Sequence, residues 1–152
     1  MSLHAAIVQI EKEKISSDKA KNFIASEANG AESIFIGRVR NENSGKKVVA
    51  VTYDSHDQAV IKSFQLICKN AKNKYDKNAK IFLEHIKGYT PIGEISILIA
   101  VGSGHRDEAF KICRYILEEV KHQSPIWKKE HYASGKEEWL PGHSLRPKKE
   151  VK

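Results

Sequence analysis

The run Ile95-Ser96-Ile97-Leu98-Ile99-Ala100-Val101 constrains this chain more than any other stretch. It is the longest apolar run, and it falls far short of the roughly 20 residues that a membrane-spanning helix needs. It is rich in Ile, follows Glu94, and is broken by Gly102-Ser103-Gly104. Those features predict a buried strand over Glu94–Val101.

The other elements are read from periodicity. His4–Ile10 alternates loosely and predicts a first strand. Ser16, Ser17 and Asp18 offer helix caps, and Ala20, Phe23, Ile24 and Ala28 recur at helical spacing until Asn29-Gly30 stops them. Ser33–Val39 and Lys47–Tyr53 read as strands. The polar loop between them, residues 41–45, suggests a hairpin. Asp57–Tyr75 predicts a second helix, with apolar positions Ala59, Ile61, Phe64, Ile67, Cys68 and Ala71. Lys80–Ile86 predicts a strand, and Gly88–Pro91 a turn. Arg106–Lys121 is the clearest helix, carrying Ala109, Ile112, Cys113, Ile116 and Val120 on one stripe. Short strands around Ser134-Gly135 would complete the chain to Trp139. There is no internal repeat and no long βαβ alternation, so the expected class is α+β. Residues 1–140 are expected to form one domain, and 141–152 a mobile basic tail.

The 152 residues carry a net charge of +7. Residues 121–152 alone hold 8 basic and 4 acidic side chains, so +4 of the excess lies in the last fifth of the chain. Basic surface implies an anionic partner: nucleic acid, a phosphorylated small molecule or an acidic protein. Two cysteines, Cys68 and Cys113, sit in amphipathic runs and read as small core residues, not as a disulfide framework. Met1-Ser2-Leu3-His4 lacks the charged and apolar regions of a signal peptide, which makes a cytoplasmic location the expectation. The seven histidines have no metal-ligand spacing, and no metal site is expected.

Three segments could carry chemistry. Ser103-Gly104-His105-Arg106 ends a strand and opens a helix, where free N–H groups and the helix dipole favour an anion. An ordinary exposed turn would look the same. Gly37-Arg38-Val39-Arg40 ends a strand with two guanidinium groups on one face, suited to phosphate or to a solvated surface. Lys121 closes a helix. Beyond it, Pro125-Ile126-Trp127 forms a stiff apolar insert before Lys128-Lys129-Glu130. A lysine held against apolar groups loses solvation, and its pKa falls. Such a lysine can exchange protons or hold an anionic reactant.

Taken in order along the chain, these segments resemble the large, catalytic subunit of molybdopterin synthase. The matching residues are Gly30-Ala31 leading to Phe35–Arg40; Gly45 and the strand to Tyr53; His85 with Gly88 and Ile92-Gly93-Glu94; Val101–Arg106; and Lys121 with Pro125–Glu130. The resemblance covers about Gly30 to Trp139. It departs from the family's usual pattern at Ile86 and at Asp54-Ser55-His56-Asp57.

The resemblance implies an α/β-hammerhead fold with a small additional α+β part and mostly antiparallel strands. It implies a sulfurtransferase of molybdenum cofactor biosynthesis, which converts cyclic pyranopterin monophosphate (precursor Z) to molybdopterin. Sulfur would come from the C-terminal Gly-Gly thiocarboxylate of a small ubiquitin-like subunit, within a heterotetramer built on a central homodimer. The implied catalytic residues are Lys121 and Lys128. The implied substrate contacts are Arg38, Val39, Arg40, His105, Arg106, Lys121, Lys128, Lys129 and Glu130, with His105 and Arg106 reaching across the dimer. No cofactor, membrane or nucleic-acid partner is implied. The alternative is a small basic nucleic-acid-binding α+β module, whose affinity would fall steeply with salt.

Overall fold

The computed structural model describes residues 1–141, so the expected tail lies outside the described residues from position 142 onward. Eight strands and three helices follow in the order β1 (Leu3–Gln9), α1 (Ser17–Ile24), β2 (Ala31–Arg38), β3 (Glu42–Asn43), β4 (Lys46–Ser55), α2 (Asp57–Tyr75), β5 (Lys80–Pro91), β6 (Ile95–Ser103), α3 (Arg106–Gln123), β7 (Ile126–Tyr132) and β8 (Glu137–Trp139). The class is α+β, and every strand pair except β1–β5 is antiparallel.

The sheet runs β2-β6-β5-β4-β7-β8, with β1 beside β5 and β3 beside β4. Strand β5 changes partner along its length. Its first part, Lys80 to His85, pairs with β6, while β1 lies parallel on its other side. Its last part, Gly88 to Pro91, pairs with β4. Gly88 stands at the handover with φ +108°, a left-handed conformation that side chains disfavour.

Helices cover both faces of the β2-β6-β5-β1 part. Strand β6 is buried from Ser96 to Ser103, as its apolar run requires. Against one face lie α2, through Val60, Phe64, Ile67, Cys68 and Ala71, and α3, through Ala109, Ile112, Cys113, Ile116 and Val120. Burial raises both thiols, that of Cys68 to about 12, so the cysteines are inert core residues. Helix α1 lies on the other face, where Phe23 meets Phe82 and Lys19 reaches Glu84 at 3.6 Å. Ser16 caps α1 by accepting the Lys19 N–H at 3.2 Å. Among the described residues, no helix is long and apolar enough to cross a membrane.

Three local expectations are corrected. Strands β2 and β4 do not form a hairpin: β2 pairs with β6, and β4 with β5 and β7. The local hairpin is the short β3–β4 pair, turning at Ser44-Gly45 with both φ angles positive (51° and 79°). The chain does not turn at Gly88–Pro91, which continues β5. It reverses at Gly93, φ +85°, with Glu94 N–H donating to Pro91 O at 3.2 Å. Helix α1 ends at Ile24, before Ala28, because Ser26 draws local N–H groups: its Oγ accepts from Ala28 and its carbonyl from Asn29.

Gly102 is the closest approach of α1 to the sheet. A Cβ there would stand 2.7 Å from Ile24 O and 2.9 Å from Asn29 Nδ2, although the backbone angles suit any residue. Gly102→Ala should therefore destabilise the protein by about 1–3 kcal/mol through overpacking alone. Urea unfolding measures this directly; an unchanged midpoint would contradict the packing described.

Candidate active site

Where β5 passes from one partner to the other, the two halves of the sheet diverge. The wedge between them is a cavity of about 300 Å³. Its walls are the end of β2, the facing parts of β4, β5, β6 and β7, and Lys121 at the end of α3.

A bulge delivers the first wall. Gly37 pairs with Ile97, but Arg38 pairs with Ile95, leaving Ser96 over. The Ser96 hydroxyl donates to Gly37 O at 3.2 Å. Glycine suits position 37, since a Cβ would lie 2.7 Å from Ile97 Cγ2 and force that side chain to shift. Past the bulge, Arg38, Val39 and Arg40 all line the cavity. The strand end is clamped by Val39 N–H to Glu94 O at 3.0 Å and Gly93 N–H to Val39 O at 2.7 Å. Arg38 also donates from Nη1 to Gly93 O at 2.8 Å, so part of its guanidinium serves the frame.

Strand β7 delivers the opposite wall. Its alternation places Lys128 and Glu130 in the cavity and Lys129 on the other face. Lys129 pairs with Glu137 Oε1 at 3.2 Å and lies 5.0 Å over the Trp139 ring. Glu130 is buried and well anchored: Asn43 Nδ2 donates to its two oxygens at 2.9 and 3.0 Å, and Tyr132 OH donates at 3.0 Å. Burial pushes the Lys128 ammonium below its ordinary pKa; Glu130 opposes that shift and Arg40 adds to it.

His85 forms part of the floor and is 1% exposed. Its Nδ1 lies 2.8 Å from Ile86 O; a carbonyl only accepts, so Nδ1 carries the proton. Burial lowers its pKa to about 4, the Ile86 bond opposes this, and Lys121 and Lys128 lower it further. The ring is neutral at pH 7. Tyr53 stands edge-on to it at 5.0 Å, and burial raises the Tyr53 phenol.

His105 and Arg106 are elsewhere. They open α3, and at about 1.5 Å per residue the helix carries Lys121 about 22 Å away from Arg106. His105 and Arg106 are both exposed. Just before the helix start, Asp76 accepts from the Ser103 hydroxyl and the Gly104 N–H. Burial alone would raise the Asp76 carboxyl, but these bonds and that from Asn78 hold it below its ordinary range.

The cavity thus gathers Arg38, Val39, Arg40, Lys121, Lys128 and Glu130, and omits Lys129, His105 and Arg106 of the same chain. Sequence reasoning about roles missed His85, Tyr53, Asn43 and Ser96. A histidine inside the apolar run Lys80–Ile86 was the available signal. Among the described residues, no group of three or more His, Cys, Asp or Glu could hold a metal.

Fold and site together define an α+β protein with a cationic cavity suited to an anion. The chain belongs to the MoaE protein family, whose model matches residues 10–123. A relative from Synechococcus elongatus, named molybdopterin synthase catalytic subunit, is 40% identical over 126 residues, 83% of this chain and 76% of the relative. The crystal structure of molybdopterin synthase from Staphylococcus aureus superposes with a TM-score of 0.83 at 30% identity, covering 90% of this chain and 96% of that one. A complex of subunits 1 and 2 of molybdopterin-converting factor from Helicobacter pylori shares the fold, with a TM-score of 0.72 at 20% identity, over 95% of this chain and 93% of that one.

The buried neutral His85 makes a pH prediction. Its folded pKa, about 4, lies below the ordinary 6.5, so its contribution to stability is complete above pH 6.5 and is lost as pH falls through 4. His85→Asn keeps a donor for Ile86 O and does not titrate. Its urea-derived stability should decline less between pH 6.5 and 4 than that of the wild type. Parallel pH curves for the two proteins would refute the buried-neutral assignment.

Proposed function

We propose that this chain is the catalytic subunit of a molybdopterin synthase, transferring sulfur to the cyclic phosphate precursor Z in molybdenum cofactor biosynthesis. The observation that carries this is the convergence of Arg40, Lys121 and Lys128 in one cavity, in a chain of the MoaE family. The names of its relatives and the two-subunit complex from Helicobacter pylori support the same reading and a small-subunit partner. The partner would be ubiquitin-like and carry a C-terminal Gly-Gly thiocarboxylate. Residues 1–140 act as one domain, and a cytoplasmic location goes with this role.

The chemistry fits the charges. A thiocarboxylate and a cyclic phosphate are both anions, so their approach needs cations where they meet. Opening the cyclic phosphate leaves an oxygen that gains from a nearby proton donor. Lys128, with its lowered pKa, gives up a proton more readily than an ordinary lysine. Lys121 is the second cation, and Arg40 and the remaining donors of Arg38 hold the phosphate. Glu130 keeps Lys128 charged enough to bind an anion. Lys129 steadies the β7–β8 pair from the opposite face. The nucleic-acid alternative is not favoured, because these cations converge on one concave cavity beside a buried carboxylate.

Supplying a thiocarboxylated ubiquitin-like partner and precursor Z should yield molybdopterin. Lys121→Ala or Lys128→Ala should cut its formation by at least ~100-fold while the protein stays folded. Near-normal turnover in either variant would contradict the assigned roles.

His105 and Arg106 fit this reading only through a second copy, since about 22 Å of helix separates Arg106 from Lys121 of its own chain. In a homodimer at the centre of a heterotetramer they would complete the neighbouring cavity. Mixing Arg106→Ala chains with Lys121→Ala chains should then restore part of the activity, through hybrid dimers with one intact site. No recovery after verified subunit exchange would show that the sites are not shared.

A further inference from the structure

His85 is a buried polar group in the cavity floor for which the sulfur-transfer chemistry above provides no task. A histidine there is costly unless both ring nitrogens are used. One is used for structure, since Nδ1 donates to Ile86 O at 2.8 Å. The nitrogen left to serve the cavity is Nε2, which carries a lone pair in this tautomer. The ring cannot swing away: the backbone around it is the last rung of the β5–β6 ladder, His85 opposite Ile97, and Tyr53 stands edge-on at 5.0 Å.

The charged and polar groups that line the same cavity as this ring can be named element by element. Strand β2 contributes Arg38 and Arg40, β4 contributes Tyr53, and β6 contributes the neutral Ser96. Strand β7 contributes Lys128 and Glu130, and α3 contributes Lys121. The cations are donors only, and the one carboxylate is taken up by Asn43 and Tyr132. A fixed neutral acceptor is what such a set of donors lacks. Of the two lysines, Lys121 acts on the ring more strongly.

We propose that His85 is a positioning residue whose Nε2 accepts an N–H from Lys121, fixing that ammonium against the bound phosphate. This rests on the sulfur-transfer reading. A neutral acceptor orients a cation without cancelling its charge, so the lysine remains available to the anion. An acceptor also favours the charged form of the lysine, so losing it lowers the pKa of Lys121.

The test uses the reconstituted enzyme with a thiocarboxylated partner and precursor Z. Two variants separate the nitrogens. His85→Asn supplies a donor near Nδ1 and nothing at Nε2; His85→Gln reaches the Nε2 position with an acceptor oxygen. Thermal melts report folding, and kcat against pH reports positioning. His85→Asn should lose about 10–100-fold in kcat, the scale of an outer-shell orienting partner. The alkaline limb of its pH profile should move down by about one unit. His85→Gln should keep the wild-type limb and most of kcat, even if it melts lower. An Asn variant with wild-type kcat and limb, or Asn and Gln variants that lose kcat in step with their melting temperatures and with unmoved limbs, would overturn the proposal. If the Asn variant does not fold, the Gln profile decides: a wild-type limb supports positioning and a shifted limb refutes it. An inactive wild type would instead reject the sulfur-transfer reading itself.

Discussion

Strand β5 cannot pair with β6 and β4 over the same residues, and the site follows from that division. Its backbone bonds β6 as far as His85 and β4 from Gly88 onward. The two neighbours therefore diverge, and the gap between them needs side chains or a ligand to fill it. Gly88, at φ +108°, allows the handover. The Ser96 bulge lets the end of β2 leave the ladder and follow the gap. Strand β7 reaches the same gap because it pairs with β4, and α3 ends above it. One sheet thus sets six of its strands around a single cavity.

The contents of the cavity are electrostatically one-sided. Arg38, Arg40, Lys121 and Lys128 share its walls with one carboxylate, Glu130. Like charges in a partly buried space raise one another's energy, and Arg40 adds in this way to the burial that lowers the pKa of Lys128. An anionic ligand reverses the sign of that interaction, so the arrangement favours binding over stability. Rigid supports carry the cost: Glu130 is held by Asn43 and Tyr132, Arg38 by Gly93, and the β2 end by two backbone bonds to the Gly93 turn.

Much of this was legible from local pattern. The apolar run from Ile95 gave a buried strand, and the stripes of α2 and α3 appear with most predicted core residues inward, although in α2 Val60 is buried and Ala59 is exposed. Partner choice was not legible. Alternation says that Ser33–Val39 is a strand, but only the apolar length of β6 decides that it pairs there and not with its neighbour in sequence. Lys129 shows the same limit at the site. Read as one closing segment, Lys128-Lys129-Glu130 seems to act together; as a strand, its middle residue must face away. The Ser103–Arg106 motif lies away from this cavity in its own chain, and two of its donors, the Ser103 hydroxyl and the Gly104 N–H, are used by a distant residue, Asp76.

The central claim is that the wedge between the sheet halves, and no other basic surface, receives the phosphorylated substrate. Neighbouring lysines on opposite faces of β7 allow a sharp test by mass spectrometry after brief acylation at neutral pH. With its lowered pKa, Lys128 has more of the reactive free amine than an ordinary lysine. Precursor Z should protect Lys128 strongly and leave Lys129, which faces Glu137 and Trp139, labelled as before. Equal protection of the two lysines, or protection confined to Lys46, Lys47 and Lys136 around the β3–β4 hairpin, would contradict the account.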